Sequence, residues 1–334
     1  MKYVDEKSNI PLFGLDFMGI LGRGTNLLEV KPITICNLYC KYCFVRAGDY
    51  IENFTIDPDY IVKWLKYALE IKGADEYEIH IAPYGEFFLY KSAVELIEKI
   101  SRINHVETIS IQTNGTLLNL EIIEKLEKAG LTRLNISFNS LDQDIARQLS
   151  GSRAYSVQRM LQTFENVLRS NIDLLIAPIW FFGINDEEII KIIKLVNRYR
   201  QSGYNDQKIR LGIQNYLVYR TGRKINKIHQ RQFSYFYQKL GELENNFGIK
   251  LKLGPHDFNI HPNTPISPPV KRGQKVNVQI QSRGRTKNEY IGALNEMWAV
   301  KILSRFPLKV GAFLDVEVIK KKTSENLITA VFKP

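Results

Sequence analysis

The sequence predicts an α/β protein, a partial (βα)6 TIM-like barrel, followed by a small all-β barrel. Two observations support this fold class. Between residues 28 and 213, short apolar runs alternate regularly with amphipathic stretches, which is typical of a parallel sheet with helices outside it. After residue 270, polar and apolar residues alternate instead, which is the pattern of short strands with one buried face. A chain of 334 residues is long enough for one large domain and a smaller one.

Each predicted strand of the large domain is a short apolar run, and each predicted helix has apolar residues at the spacing of one buried face. The predicted strands cover residues 28–35, 77–82, 108–112, 133–138, 174–179 and 208–213. The predicted helices cover residues 61–71, 93–103, 121–129, 157–168, 187–199 and 233–246. In a barrel of this kind the chemistry gathers at the carboxyl ends of the strands. The polar residues that follow each strand are therefore candidates for the site.

A proline-rich polar segment near residues 254–269 ends the helical pattern and is predicted to be a linker. We therefore expect an N-terminal extension over residues 1–27, a core over 28–250, a linker over 251–269 and the small barrel over 270–334. The clearest strands of the small barrel are residues 275–281, 315–320 and 327–331. We expect this barrel to be antiparallel.

The charge is concentrated at the end of the chain. Of the net charge of +11, residues 266–334 contribute +8, from 13 Lys and Arg against 5 Asp and Glu. This asymmetry indicates a polyanionic partner, most simply nucleic acid, with a solvated basic surface as the alternative. A second basic segment, interleaved with aromatics, follows the sixth predicted strand. The candidate phosphate contacts are Lys271, Arg272, Lys275, Arg283, Arg285 and Lys287, together with Arg220 and Arg223.

No apolar run is long enough to cross a bilayer, and the first residues lack the basic-then-apolar pattern of a secretory signal. We therefore expect a cytoplasmic protein with no membrane partner, and we expect it to be a monomer. The cytoplasm is reducing, so its cysteines are expected to act as thiolate ligands rather than to form disulfides.

All three cysteines lie within eight residues, as Cys36, Cys40 and Cys43, directly after the first predicted strand. Three thiolates at this spacing can hold three irons of a cubane cluster and leave the fourth iron without a protein ligand. A structural zinc site is the alternative. Zinc prefers four closed ligands, and the fourth would have to be a histidine such as His80.

The Cys-x3-Cys-x2-Cys spacing, with Tyr42 just before the last cysteine, resembles the signature of the radical S-adenosylmethionine (SAM) superfamily. The resemblance implies that the three cysteines hold a [4Fe–4S] cluster, that SAM binds at its open iron, and that SAM is cleaved to a deoxyadenosyl radical. It also implies an electron donor of the ferredoxin or flavodoxin type. No side chain is assigned a catalytic role in proton or hydrogen transfer.

Further motifs after the next strands resemble the SAM-binding motifs of that superfamily. Tyr84-Gly85-Glu86 resembles its Gly-Gly-Glu motif, with Tyr84 in place of the first glycine. The resemblance implies that Glu86 receives the SAM amino group, a charged donor suited to an anionic acceptor. The other SAM-binding residues that it implies are Thr113 and Asn114 of a Thr-Asn-Gly match, Ser137 and Asn139 of a Ser-x-Asp-Ser match, the backbone of Tyr42, and Ala177 as a wall for adenine.

The basic C-terminal barrel, with the run from Gly273 through Gly311 to Val331, resembles a TRAM domain, an OB-like module with which RNA-modifying enzymes hold RNA. Overall the chain resembles archaeal and thermophile radical SAM proteins that carry this domain. The resemblance implies a tRNA-modifying enzyme, and a related family suggests C-methylation of threonylcarbamoyladenosine to hydroxynorvalylcarbamoyladenosine. Methylthiolation is disfavoured, because no further cysteines are present for a second cluster. The alternatives are a radical SAM enzyme that modifies a peptide or protein, and a non-catalytic iron–sulfur protein that binds RNA or acts as a sensor.

Overall fold

Strands and helices alternate along most of the chain. The computed structural model describes every residue from Met1 to Pro334. In chain order, the strands are β1 (Lys2–Val4), β2 (Gly19–Gly22), β3 (Leu27–Lys31), β4 (Phe54–Ile56), β5 (Tyr77–Ile81), β6 (Val106–Thr113), β7 (Arg133–Ile136), β8 (Asp173–Ile176), β9 (Ile179–Trp180), β10 (Ile209–Leu211), β11 (Gln214–Asn215), β12 (Lys275–Arg283), β13 (Glu289–Ala293), β14 (Ala299–Leu303), β15 (Phe313–Lys322) and β16 (Leu327–Val331). The helices are α1 (Pro58–Lys72), α2 (Ala93–Ser101), α3 (Leu120–Lys128), α4 (Gln143–Ser150), α5 (Val157–Arg169), α6 (Asp186–Gln201) and α7 (Phe233–Phe247). None of these helices has the length and apolar content that a membrane crossing requires.

The chain divides into two compact units. The first unit consists of Met1–Ile35, Asp49–Ile109 and Ile260–Pro334, and the second consists of Cys36–Gly48 and Ser110–Asn259. The segment with the three cysteines, residues 36–48, is called the cysteine loop and belongs to the second unit. The small C-terminal barrel belongs to the first unit, together with the N-terminal residues and helices α1 and α2.

In the first unit, β3 pairs with β2 on one side, antiparallel, and with β5 on the other, in parallel. The side chains of Leu28 and Val30 in β3 are fully buried. Helix α1 begins after Asp57, whose carboxylate accepts a hydrogen bond from the Tyr60 N–H at 2.9 Å and so caps the helix. These contacts hold β3 in place, and residues 32–35 connect it to the cysteine loop.

In the second unit, the last residues of β6 pair in parallel with β7, β7 pairs with β8, and β8 pairs with β10. Leu134, Ile136 and Leu174 are fully buried, as expected for parallel strands covered on both faces. Helix α6 carries acidic residues in its first turn and basic residues in its last, which complements the helix dipole. These parallel strands with helices between them are the α/β sheet that the sequence predicts.

Residues 275–331 form a closed five-stranded barrel in the strand order β12-β13-β14-β16-β15. Four neighbouring pairs are antiparallel, but β14 and β16 are parallel. The expectation of a purely antiparallel barrel is therefore wrong at this pair. Strands β13 and β14 were not among the clear strand signals, because most of their residues are buried and the polar-apolar alternation is lost.

The N-terminal residues pack against this barrel within the first unit. The Ala299 N–H donates to the carbonyl of Phe13 at 2.8 Å, and the Ile328 N–H donates to the carbonyl of Gly14 at 3.0 Å. Gly14 has a φ of +109°, and a Cβ at this position would lie 1.8 Å from the carbonyl oxygen of Ala299. Only glycine fits such a contact. Residues 13 and 14 are therefore an integral part of the barrel's packing.

Asn326 makes a second connection between the barrel and the N-terminal residues. Its side chain is fully buried. The Oδ1 atom accepts from the Gly22 N–H at 2.8 Å, and the Nδ2 atom donates to the Ile20 carbonyl at 3.0 Å. Because buried polar groups must be paired, this one side chain satisfies two backbone groups of β2.

Several elements were not predicted from the sequence. Strands β1, β2 and β4 lie where no strand was expected, and α4 lies between two predicted elements. The first predicted strand also ends earlier than expected, at Lys31, because Pro32 follows it and has no N–H to offer a sheet. The signal for α4 was present: Asp142 caps it by accepting from two N–H groups, and Gly151 ends it in the left-handed conformation.

Candidate active site

The cysteine loop is held in place by the end of helix α4. The Tyr39 N–H donates to the carbonyl of Ser150 at 3.2 Å, and the Lys41 N–H donates to the carbonyl of Leu149 at 2.9 Å. Gly151 follows directly, with a φ of +65°, and a Cβ there would lie 2.1 Å from the carbonyl oxygen of Tyr39. Glycine is therefore required at this position both to end the helix and to admit the loop.

Arg223 binds the cysteine loop from the other side. Its Nε donates to the carbonyl of Cys40 at 2.8 Å, one terminal nitrogen donates to the carbonyl of Ala47 at 2.9 Å, and its backbone N–H donates to the carbonyl of Cys43 at 2.9 Å. The guanidinium also lies 3.8 Å from the centre of the Tyr39 ring. The sequence predicted an RNA contact here. The structure corrects this prediction, because the fork-shaped guanidinium is engaged by the loop's carbonyls and ring.

The Cys40 thiol is affected by the two other cysteines of the loop. Cys36, Cys40 and Cys43 are all partly accessible. Burial, and then the neighbouring Cys36 and Cys43, raise the pKa of Cys40 to about 12. Each thiol must lose its proton to bind iron, so the positive charge of a metal centre is what makes the thiolate form favourable here.

This donor set fits an iron–sulfur cluster rather than a single ion. In a cubane each cysteine binds a different iron, so the sulfurs need not converge on one point. No three His, Cys, Asp or Glu side chains converge closely enough to hold one ion. His80, which the zinc alternative needs as a fourth ligand, lies in register opposite Glu29 in the first unit. The chain has no fourth cysteine, so the cluster's fourth iron has no thiolate from this protein.

Tyr42 connects the cysteine loop to the residues after β7. Its hydroxyl forms a hydrogen bond with the Cys40 thiol and accepts one from Asn139 Nδ2 at 2.6 Å. Its ring lies 4.9 Å from the ring of Phe181. Burial, and then Cys40, raise the pKa of Tyr42 well above its usual value, so the hydroxyl stays protonated. The Tyr42 side chain is thus held by Cys40, Asn139 and Phe181, whereas the sequence predicted a role only for the Tyr42 backbone.

Asn139, a predicted SAM-binding residue, also fixes the chain after β8. Its Oδ1 accepts from the Ile179 N–H at 2.8 Å. Asn185 supports this arrangement, because its Nδ2 donates to the carbonyls of Asn139 at 3.0 Å and Ile179 at 2.9 Å. The side-chain amide of Asn139 therefore has partners at both ends within the second unit, and its backbone carbonyl is bonded as well.

Thr113 and Asn114 lie at the end of β6, beside the residue that follows Cys36. Asn114 Nδ2 donates to Asn37 Oδ1 at 2.9 Å, and Asn37 Nδ2 donates to the Thr116 hydroxyl at 2.9 Å. The Thr113 hydroxyl accepts from the Gly115 N–H at 3.0 Å. The structure thus brings the Thr-Asn-Gly match to the cysteine loop through Asn37. Asn37 was not predicted, although its place between two cysteines is a signal.

The remaining two SAM-site candidates of the second unit lie at neighbouring strand ends. The Ser137 hydroxyl accepts from Gln112 Nε2 at 3.0 Å. Ala177 is buried, and its N–H donates to the carbonyl of Ile136 at 2.9 Å. Both directly follow parallel strands, whereas the sequence placed them inside the predicted strands 133–138 and 174–179.

In the first unit, the Tyr84-Gly85-Glu86 segment is tied to Ile35, the residue directly before Cys36. The Glu86 N–H donates to the carbonyl of Ile35 at 2.7 Å. A Cβ on Gly85 would lie 2.1 Å from that oxygen, so glycine is needed for close approach. The Glu86 side chain is buried, and its Oε1 accepts from the Phe88 N–H at 3.2 Å.

Tyr84 occupies its position without backbone strain, since it is not among the residues with positive φ. Its ring lies 4.7 Å from the Lys31 ammonium and 5.3 Å from the Arg285 guanidinium. Lys31 is buried, and burial, only partly offset by Glu29, lowers the pKa of its ammonium. The tyrosine in place of glycine is therefore accommodated between two cations.

Arg285 was predicted to contact RNA, and the structure corrects this prediction. The side chain is buried, donates to both carboxylate oxygens of Glu289 at 3.1 and 3.0 Å, and lies 3.7 Å from Asp16. A buried arginine paired with two carboxylates cannot present its charge to a phosphate. The other barrel candidates are exposed, as is Arg220: Lys271, Arg272, Lys275, Arg283 and Lys287.

Residues 30–196 match the sequence profile of the Radical SAM superfamily. This chain belongs to the radical SAM superfamily. The uncharacterized protein MJ0103 of Methanocaldococcus jannaschii is 33% identical over 351 aligned residues, which cover 98% of this chain and 79% of that protein. The GTP 3',8-cyclase of Clostridium botulinum is 31% identical over 181 residues, 53% of this chain and 54% of the cyclase. The chain thus spans about half the length of the cyclase.

Radical SAM proteins of known structure share this fold. Streptococcus suis SuiB bound to S-adenosylmethionine superposes with a TM-score of 0.52 at 20% identity, over 76% of this chain and 53% of SuiB. Radical SAM proteins use a [4Fe–4S] cluster and SAM, and these are the cofactors of this chain. Radical SAM enzymes also need an electron donor.

Proposed function

We propose that this radical SAM enzyme modifies tRNA. The observation that carries the proposal is the closed five-stranded barrel at residues 275–331. Small barrels of this strand number bind oligonucleotides, and residues 266–334 carry a net charge of +8. Five of the exposed basic residues of this region are proposed to provide phosphate contacts: Lys271, Arg272, Lys275, Arg283 and Lys287. An enzyme that modified a peptide would have no evident use for such a charge.

In this proposal, Cys36, Cys40 and Cys43 hold the cluster as thiolates. The cluster, when bound, supplies the electron that cleaves SAM to a deoxyadenosyl radical and methionine. The protein's own task is to keep the cysteine loop in one conformation. Arg223 and the end of α4 do this through the loop's backbone, and Tyr42 does it through the Cys40 thiol.

Glu86 is proposed to receive the SAM amino group. It is a buried carboxylate, and a charge-assisted hydrogen bond is strong where water is excluded. Its backbone is already tied to the residue before Cys36. The polar ends of the second unit's strands are proposed to contact the rest of SAM: Thr113, Asn114, Ser137, Asn139 and Ala177, with the backbone of Tyr42.

The proposed reaction is C-methylation of threonylcarbamoyladenosine to hydroxynorvalylcarbamoyladenosine. The three cysteines are all used by one cluster, so neither a second cluster nor a methylated cysteine carrier is available. We therefore assign the methyl group to a second SAM. A hydrogen atom leaves the substrate's threonyl methyl carbon, and a methyl group replaces it. A ferredoxin or flavodoxin supplies the electron for SAM cleavage and the further electron that balances the transfer.

The test uses anaerobically reconstituted, reduced protein with tRNA and SAM labelled in its methyl group. We expect deoxyadenosine formation to rise when tRNA is present, and we expect one labelled methyl group in a tRNA nucleoside by mass spectrometry. Cys40→Ala protein is the control for both products. SAM cleavage that tRNA does not stimulate, with no labelled nucleoside, would favour a peptide substrate. An absence of SAM cleavage under all conditions would favour the non-catalytic alternative.

A further inference from the structure

We infer that an aromatic and basic surface of the second unit binds unpaired bases of the RNA substrate. This surface, called the aromatic platform, consists of Phe182, Arg231 and Tyr235. The inference rests on the proposed function, because it names RNA as the partner. It adds a second contact surface, separate in sequence from the basic barrel, and assigns it the recognition of bases rather than phosphates.

Most aromatic rings of the first turns of α7 lie outside the hydrophobic core of the second unit. Helix α7 buries Phe236 and Leu240, which lie four residues apart on one face. The other aromatic residues of its first turns are exposed, with Phe233 at 50%, Tyr235 at 40% and Tyr237 at 46%. Exposed aromatic clusters of this kind mark interaction surfaces.

Tyr235, Phe182 and Arg231 are in contact with one another, whereas Phe233 and Tyr237 form a separate ring pair, 6.2 Å apart. The Tyr235 ring lies 5.5 Å from the ring of Phe182, and the Arg231 guanidinium lies 5.7 Å from Tyr235 and 5.9 Å from Phe182. Phe182 in turn stacks on the buried ring of Trp180, at 4.2 Å with 19° between the planes. The platform is therefore backed by the core, so its rings need little ordering when a ligand stacks on them.

The charges beside the platform fit a polyanion. Arg231 and Lys239 lie 5.7 and 5.9 Å from the Tyr235 ring. The nearby carboxylates are already paired: Glu242 with Lys239 at 2.6 Å, and Asp186 with Trp180 Nε1 at 2.7 Å and the Gly183 N–H at 2.6 Å. Planar rings interleaved with cations bind single-stranded nucleic acid, since bases stack on the rings and phosphates meet the cations.

The platform is linked to the cysteine loop by residues 216–231 of the same unit. The ends of this segment are closed by Asn215 Nδ2, which donates to the carbonyl of Arg231 at 2.8 Å, and by the Val218 N–H, which donates to Gln230 Oε1 at 3.2 Å. Arg223, in its middle, holds the carbonyl of Cys40. This one segment thus carries Arg231 of the platform and also holds the cysteine loop. A base bound on the platform would therefore be bound by the unit that carries the cluster ligands.

The test measures binding of fluorescently labelled single-stranded RNA oligonucleotides, and of the same sequence as a duplex, to the full-length holoenzyme. Tyr235→Ala should weaken single-strand binding by about five- to a hundredfold, the range for loss of one base-stacking ring. Tyr235→Phe keeps the ring and should bind as the unmodified protein does. Leu120→Ala is the control, because Leu120 is 52% exposed in the same unit but lies outside the platform. Thermal unfolding shows that each variant is folded.

The outcomes separate this inference from the proposed function. Selective loss of single-strand binding in Tyr235→Ala, with retention in Tyr235→Phe, supports the platform. Undiminished single-strand binding in Tyr235→Ala, or an equal loss for the duplex, overturns it, while tRNA methylation by the unmodified protein still upholds the proposed function. If the unmodified holoenzyme binds no RNA, both fail.

Discussion

The guanidinium of Arg223 lies 3.8 Å from the centre of the Tyr39 ring, and its Nε donates to the carbonyl of Cys40, the residue after Tyr39, at 2.8 Å. One side chain therefore fixes both the backbone and a ring of the loop that carries the cluster ligands. Since the three thiols must face three irons of one cluster, the conformation of this loop decides whether the cluster binds. Arg223 is a positioning residue in this arrangement.

We expect Arg223→Lys to lower iron incorporation and to slow SAM cleavage in the absence of RNA. Lysine keeps the charge but cannot form the forked contacts or stack on Tyr39. Each lost hydrogen bond of a charged donor is worth about 1.5 to 3 kcal/mol, or roughly ten- to a hundredfold. Iron content, the cluster's electron paramagnetic resonance spectrum and deoxyadenosine formation are the measurements. Lys224→Gln removes an exposed cation of the same segment and serves as the control. If the Arg223→Lys protein has an unchanged spectrum and an unchanged rate of SAM cleavage, Arg223 does not position the cysteine loop.

Replacing a cysteine tests the cluster itself. We expect Cys40→Ala to lose the four-iron cluster and with it SAM cleavage to deoxyadenosine and methionine, because two thiolates remain for a site that needs three. His80→Ala, which removes the ligand of the zinc alternative, should keep both. The checks are metal content after anaerobic reconstitution and chromatography of the cleavage products. Retention of SAM cleavage at the unmodified rate by Cys40→Ala contradicts the assignment.

The sequence predicted the core's strands and the order of its motifs, because apolar periodicity and short-range spacing are local properties. It failed for two side chains whose burial or partners the local pattern does not reveal. Arg223 and Arg285 both have the sequence context of exposed basic residues, yet Arg223 is engaged by the cysteine loop, far away in sequence. Arg285 is buried against Glu289, four residues further on, and the distant Asp16. The buried strands β13 and β14 were missed for a related reason, since burial on both faces removes the alternation that marks a strand.

Glu86→Gln should weaken SAM binding about five- to tenfold, since it replaces a charged hydrogen bond worth roughly 1.5 to 3 kcal/mol by a neutral one worth about 0.5 to 1.5 kcal/mol. Glutamine is preferred to alanine because the Glu86 side chain also accepts from the Phe88 N–H, and glutamine can retain that bond. SAM affinity is measured by calorimetry on the reconstituted protein. Glu98→Gln, on the surface of α2, is the matched control. If SAM binds the Glu86→Gln protein with unchanged affinity, the match to the Gly-Gly-Glu motif has been assigned wrongly.

Asn326→Ala should destabilise the first unit. The change leaves the Gly22 N–H and the Ile20 carbonyl buried without their partner, at about 1 to 3 kcal/mol for each unsatisfied group. It also places alanine at a φ of +45°. Because the N-terminal residues pack on the barrel, we expect that deleting residues 266–334 also gives a poorly folded protein. Thermal unfolding is the measurement, with Asn277→Ala, at an exposed position of β12, as the control. Equal melting temperatures for the two variants would argue against this coupling.

The RNA proposal predicts a steep dependence of tRNA binding on salt. Exposed basic side chains that neutralise phosphates release counterions, so the logarithm of the affinity falls linearly with the logarithm of the salt concentration, by about 0.7 to 0.9 per contact. Changing Lys271, Arg272 and Lys275 to Gln should weaken binding and reduce this slope by about 2 to 3, because up to three contacts are lost.

The matched control changes Lys63, Lys99 and Lys125 to Gln, which lowers the net charge equally but on helices α1, α2 and α3 instead of on the barrel. Arg285 is left unchanged in both proteins because its buried pairing with Glu289 supports the fold. If net charge alone attracts tRNA, the two triple variants should weaken binding to the same degree. A larger loss of slope in the barrel variant is what the proposal requires, because direct phosphate contacts depend on where the charges lie.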